Sequence, residues 1–244
     1  DGSGNVAIGY QALTADTRGK NSIAIGRSAL STQNYTSSDD AYNIGIGRLA
    51  GASITTGLHN VIVGSLAADA LTDADYNVAI GGNALSSDTQ GSNSVAVGYR
   101  ALTTQNNSSA TQANNTAIGT NAGASVTDGI NNVFVGHGAG AGHQSGDHSI
   151  YIGRDAGYHA TPMTTGSYNI LIGSFTDGDA NDTGAMIVMG YNVTSVGNQN
   201  FTFGNNTTDS NIAFGATSIS APSDERLKED IKDETVGLAF INEL

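Results

Sequence analysis

The chain is 244 residues long, with 33 glycines, 2 prolines, no cysteine, no tryptophan and 13% charged side chains. Without cysteine there is no disulfide framework, so stability has to come from burial and association. The formal net charge of −13 disfavours nucleic acid and acidic membranes, and no apolar run is long enough to insert as a spanning helix.

From the N-terminus onward, a short apolar stretch runs into a glycine thirteen times. The glycines are Gly9, Gly26, Gly47, Gly64, Gly81, Gly98, Gly119, Gly136, Gly153, Gly173, Gly190, Gly204 and Gly215. Counted from glycine to glycine, the gaps are 17, 21, 17, 17, 17, 21, 17, 17, 20, 17, 14 and 11. A period this short predicts a solenoid, in which each repeat is one coil that cannot bury its apolar side alone. A longer beat lies above it, since Gly9, Gly26, Gly47, Gly64 and Gly81 are matched seventy-two positions on by Gly81, Gly98, Gly119, Gly136 and Gly153. The residues repeat as well: Ala29–Asn34 (ALSTQN) returns as Ala101–Asn106 (ALTTQN). This is a duplicated four-coil block whose 21-residue coil carries a four-residue insertion, expected to form a loop on one face.

Within each coil, two large apolar residues one position apart precede the glycine, as in Val6 and Ile8, Ile23 and Ile25, or Val133 and Val135. Period two in Val and Ile predicts a strand of three to five residues with that pair on one face. The thirteen predicted coils are parallel, about 58 Å long at ~4.8 Å per step, with Ile8, Ile25, Ile46, Val63 and Ile80 in one column. The position between the pair is Ala7, Ala24, Gly45, Ala79, Ala96 or Ala117 early on, and Phe134, Tyr151, Leu171 and Val188 later. A strand apolar on both faces is usually covered on both, which predicts that Phe134, Tyr151 and Leu171 face another copy of the chain.

Alanine stands three residues after the glycine nine times running, from Ala12 to Ala156, and first fails at Thr176. It fits a tight corner between stacked neighbours. Four or five residues before the glycine stand Asn5, Asn21, Asn43, Asn60, Asn77, Asn93, Asn115 and Asn132. Two readings are open for these: an amide ladder from coil to coil, or tolerance of turn geometry.

The strings NVAIGYQAL, NSIAIGRSAL and NSVAVGYRAL resemble the head repeats of YadA-type trimeric autotransporter adhesins, which recur in phage tail fibres. The resemblance covers residues 1–175 well and 176–217 loosely. It implies an all-β fold: a left-handed parallel β-roll, three chains side by side. The commonest coil in this chain is longer than that family's, which implies longer outer loops.

Composition breaks near residue 220. All four glutamates (Glu225, Glu229, Glu234 and Glu243) and two of the three lysines (Lys228 and Lys232) follow Pro222. Residues 1–217 are therefore read as the fibre, 218–222 as a linker and 223–244 as a separate module. That module is expected to be helical from about Thr235, with Val236, Phe240 and Leu244 on one face. Its opening, SDERLKEDI, resembles the start of the endosialidase-type intramolecular chaperone auto-processing domain of phage tailspikes and fibres, through Ser223, Asp224, Arg226 and Lys228. The resemblance implies a domain that continues past Leu244, assists trimerisation and then cuts itself off. Ser223 is then the nucleophile, Lys228 its base and Pro222–Ser223 the scissile bond. A serine hydroxyl needs such a neighbour, and a desolvated lysine can take its proton near neutral pH. The start at Asp1, without Met or a signal peptide, fits a fragment or processed product.

Other candidates carry weaker chemistry. Asp177–Asp182 opens like a calcium loop but has Asp182 at position six and Val188 at position twelve, so a solvated acidic turn is expected. His59, His137, His143, His148 and His159 lack metal-ligand spacing and are read as surface turn residues, although threefold symmetry leaves a shared three-histidine site open. Asp39–Asp40 is the one adjacent acidic pair in a fibre without glutamate. No cofactor and no metal are expected. The expected function is that of a trimeric virion tail fibre or tailspike, a stalk presenting or forming a host-receptor contact. The expected partners are two further copies, a host cell-surface glycan or outer-membrane receptor, and other tail or baseplate proteins, with neither nucleic acid nor membrane insertion. The alternatives are a bacterial trimeric autotransporter adhesin head at the cell surface, and a capsule depolymerase with aspartates in an intersubunit groove.

Overall fold

The computed structural model describes residues 2–37, 40–107, 112–206 and 209–216. Thirteen strands join in one sheet in chain order: β1 (Val6–Ile8), β2 (Ile23–Ile25), β3 (Ile44–Ile46), β4 (Val61–Val63), β5 (Val78–Ile80), β6 (Val95–Val97), β7 (Thr116–Ile118), β8 (Val133–Val135), β9 (Ile150–Ile152), β10 (Ile170–Ile172), β11 (Ile187–Gly190), β12 (Asn200–Gly204) and β13 (Ser210–Ala213). β1 to β12 pair in parallel, so the chain is an all-β parallel solenoid of about eleven turns, with no helix among the described residues. Ile8, Ile25, Ile46, Val63 and Ile80 form one column, as expected. The thirteenth coil does not follow: β13 turns back antiparallel on β12. The stretch from Gly204 to Gly215 is too short for another full coil, so the chain closes as a hairpin. The expected helix after Thr235 lies outside the described residues, as do residues 38–39 and 108–111 of the two insertions.

The glycine that ends each strand is required twice over. From Gly9 to Gly190 these glycines hold φ between 127° and 143°, a region closed to L side chains. A methyl group added at Gly64 would also run into the backbone carbonyl of Gly81, and the same clash repeats along the column. The backbones touch at this corner, so no side chain fits.

From β2 to β10 the middle residue of each strand points inward, into the chain's own core, and this corrects the expected facing. Phe134, Tyr151 and Leu171 are fully buried within a single chain. The residue they meet explains why they can be large. Four positions after the glycine stand Leu30, Leu85 and Leu102 where the middle residue is Ala24, Ala79 and Ala96. Opposite Phe134 and Tyr151 that position is Gly140 and Gly157, and a Cβ on either would strike the facing ring. Large meets small in these coils, so the core keeps near-constant volume there. The two coils with small residues at both positions borrow from neighbours: Leu30, Ile54 and Ile62 close around Gly51, and Leu102 and Phe134 around Gly123. The corner alanines from Ala29 to Ala156 are buried too, and Thr176 is tolerated because its hydroxyl donates to the Gly173 carbonyl at 3.1 Å.

The two readings of the asparagines divide between two adjacent columns. Asn43, Asn60, Asn77, Asn115, Asn132 and Asn169 are buried, and they bond coil to coil through amide-to-backbone pairs. Asn77 Oδ1 accepts from the Ser94 amide at 2.9 Å and its Nδ2 donates to the Gly91 carbonyl at 2.9 Å; Asn132 repeats the pattern with Ser149 and Gly146. Asn21 and Asn93 instead sit one position earlier, at φ 59° and 62°, where they serve the turn. In that outer column Tyr42, His59 and Tyr76 stack at 5.3 and 5.0 Å between ring centres.

The duplication extends to a buried polar network. Gln33 Nε2 donates to Asp16 Oδ2 and to Ser22 Oγ, while its Oε1 accepts from Asn43. In the second copy of the block, Gln105 joins Asp88, Ser94 and Asn115 in the same way. These glutamines satisfy the inner side of each 21-residue coil.

Candidate functional site

The inward turn of the middle residues leaves the other face of the sheet for the Val and Ile pairs. Two columns run along it, from Val6 to Ile187 and from Ile8 to Met189, and every member but Thr116 is apolar. Phe201 and Phe203 extend both columns on β12. Their members are half-buried or exposed, with Ile8 at 58%, Ile118 at 43% and Ile152 at 38%. At ~4.8 Å per rung and ~6.6 Å between alternate residues, the strip covers roughly 300 Å2. A strip of that size matches the largest apolar patch of a typical monomer, and such patches are often functional.

The residues singled out from sequence are scattered. Ser223 and Lys228 lie outside the described residues, as does Asp39. Asp40 is described, and it accepts a hydrogen bond from Asn21 at 2.9 Å. Asp177 is not a solvated turn residue. It is buried, its carboxylate accepts from the backbone amides of His159, Ala160 and Thr161, and that burial raises its pKa. The oxygens a cation would need are spent on closing the loop.

The histidines do not converge, and no cluster of three metal-ligating groups exists among the described residues. His143 departs from the expected surface role because it is buried between Phe134 and Tyr151, with ring centres 5.3 and 5.4 Å away. Its Nε2 lies 2.7 Å from the Gly146 carbonyl and must donate, which leaves Nδ1 to accept from the Tyr151 hydroxyl at 3.4 Å. That arrangement is a neutral imidazole, and burial pushes its pKa down. His143 fills the core position that Leu71 and Val126 fill in other coils.

The outer surface is rich in tyrosine. Tyr10, Tyr42, Tyr76, Tyr99, Tyr158, Tyr168 and Tyr191 are all exposed. Such rings give rigid, amphipathic contact area at low entropic cost. Sequence reasoning also missed a concavity around Gly138. Its signal was present: Gly138 is the one glycine in a corner column that otherwise runs through Asn83, Arg100, Asn121, Asp155 and Phe175. No protein family matches the chain, and comparison with curated proteins and with solved structures finds no match.

Proposed function

We propose that this chain is the repeat segment of a trimeric virion tail fibre or tailspike, a stalk that presents or forms a contact with a host-surface receptor. The observation that carries the reading is the apolar Val/Ile strip on the open face of the sheet. A side-by-side copy buries such a strip along its whole length, and three copies around an axis close it without leaving an edge. The exposed tyrosines then remain on the outside for adhesion. Ser223 and Lys228 belong to the same reading: the stretch from Ser223 opens a chaperone that cleaves at Pro222–Ser223 when complete.

The mass of the chain in solution tests the assembly. A trimer has three times the 24.7 kDa of one chain by light scattering or sedimentation. Replacing Ile118 and Ile152 with Lys places charge within the buried strip and is expected to give folded monomers. A wild-type monomer, or a double variant that stays trimeric, refutes the assembly. Ser223→Ala and Lys228→Ala in a protein carrying the complete chaperone are expected to abolish cleavage, read by intact mass. Undiminished cleavage in Ser223→Ala removes the serine from this role.

A further inference from the structure

One coil in the second half of the fibre breaks the rule of its own outer corner. At the position two residues after the strand glycine, the other described coils through Asn192 carry a side chain, and the coil after β8 carries Gly138. The Asp155 carboxylate takes the place a side chain at Gly138 would fill, and around this corner lies a concavity of about 230 Å3. Small residues such as Gly138, Ala124 and Ala141 line it, together with Arg100, Asn121, Asp155 and Tyr158. From Arg100 to Asp155 it spans three rungs, ~14 Å, which is room for a short oligosaccharide.

Each wall has a distinct chemistry. Tyr158 is 44% exposed, and its ring lies over Gly142 beside Pro162, in the space a Cβ at Gly142 would take. A pyranose packs its C–H face on such a ring. Asp155 Oδ1 reaches into the space of the absent Gly138 side chain with His137 Nδ1 3.6 Å away, and Arg154 Nε lies 3.2 Å from its Oδ2. Asp155 and Asn121 both line the concavity, and a carboxylate and an amide are groups that bind hydroxyls. At the far end the Arg100 guanidinium has no ion pair among the described residues, in a chain whose net charge is −13. An unpaired guanidinium is a bidentate receptor for a carboxylate. A concave site with an aromatic wall and a few convergent polar groups is the form binding sites take.

We propose that the Gly138 concavity is a binding site for an acidic saccharide, with Arg100 on the sugar carboxylate, Asn121 and Asp155 on hydroxyls and Tyr158 under a ring. The assignment rests on the fibre reading for its source, a host-surface glycan, and locates where on the stalk that contact is made. The groove belongs to corner columns and not to the Val/Ile strip that assembly buries.

The test titrates the 244-residue chain with a glucuronate–N-acetylglucosamine tetrasaccharide and with its carboxyl-reduced counterpart, by calorimetry, with the mass of each sample measured in parallel. The acidic probe is expected to bind at least tenfold more tightly than the reduced one. Arg100→Gln should remove that preference, and Tyr158→Ala should weaken both probes tenfold or more. Gly138→Asn is the decisive variant, because Asn83, Asn121 and Asn192 hold the same corner at φ 55°, 57° and 54°. It displaces the Asp155 carboxylate from the corner, gives this coil the side chain its neighbours carry, and should abolish binding with the circular dichroism spectrum unchanged. Undiminished binding by Gly138→Asn, equal affinity for the two probes, or no binding by wild type at millimolar probe each overturns the assignment. A trimer that binds neither probe sinks the site and keeps the fibre; a monomer that binds the acidic probe keeps the site and sinks the fibre.

Discussion

Asn77→Ala strikes the buried amide column at a rung where the bonds are simple to follow. The change strands two backbone groups in the core, the Ser94 amide and the Gly91 carbonyl, each now bonded at 2.9 Å. An orphaned buried group costs about 1–3 kcal/mol, so the rung loses about 2–6 kcal/mol unless water enters the space. Asn93→Ala is the control from the adjacent outer column, where the residue serves a φ of 62° and stays partly exposed. It loses only the tolerance of asparagine for that turn, about 1 kcal/mol. Hydrogen exchange reads the difference locally. Every 1.4 kcal/mol is about tenfold, so amides of the β5–β6 rung should exchange at least about thirtyfold faster in Asn77→Ala and about fivefold faster in Asn93→Ala. Equal effects from the two variants would refute the division of the asparagines into a bonding column and a turn column.

Other outcomes follow from the same columns. Gly64→Ala forces a Cβ into both a φ of 143° and the Gly81 carbonyl. It should cost more than the about 1–3 kcal/mol of backbone strain alone, read as a fall in thermal midpoint. Gly82→Ala makes only ordinary contacts, with Tyr99 at 3.5 Å and the Ser65 carbonyl at 3.9 Å, and should leave that midpoint nearly unchanged. His143 holds a folded-state pKa below its ordinary value of 6.5, so the unfolded chain binds the proton first and stability falls as pH drops from 6.5 toward the folded pKa. Denaturant midpoints measured on either side of that range should separate in the wild type and draw together in His143→Leu; an unchanged separation refutes the neutral buried imidazole. Asp88 runs the other way: burial raises its pKa, so the stability it contributes at low pH is lost as pH rises above 3.8 through the folded value, and Asp88→Asn should flatten that limb of the curve.

The coil was legible because its constraints repeat. The glycine, the corner alanine and the Val/Ile pair each meet their own copy one rung away, so each coil restates the rule. The facing of the strand was misread for an instructive reason. Phe134 and Tyr151 look too large for a position held by Ala24 or Ala79 only while that position is read alone. Read with Gly140 and Gly157 six positions on, they are the large half of a pair whose small half has moved. The asparagines resisted assignment because two columns one residue apart use the same side chain, one for its hydrogen bonds and one for its backbone freedom. The Gly138 concavity was hidden among 33 glycines, and only alignment of the corners shows it as a gap. The reversal of β13 was foreshadowed by the shortening of the last two glycine gaps, from Gly190 to Gly204 and from Gly204 to Gly215.

The bonds that join rung to rung lie along the solenoid axis, while the covalent chain winds around it. Pulled from its two ends, such a molecule yields at a terminal coil, since an inner coil is clasped from above and below. Each coil that peels away shortens the rod by ~4.8 Å and releases about 58 Å of slack chain. The same molecule is thus a rigid spacer under small loads and a tether with roughly twelve times its own length in reserve under large ones, giving way stepwise instead of snapping.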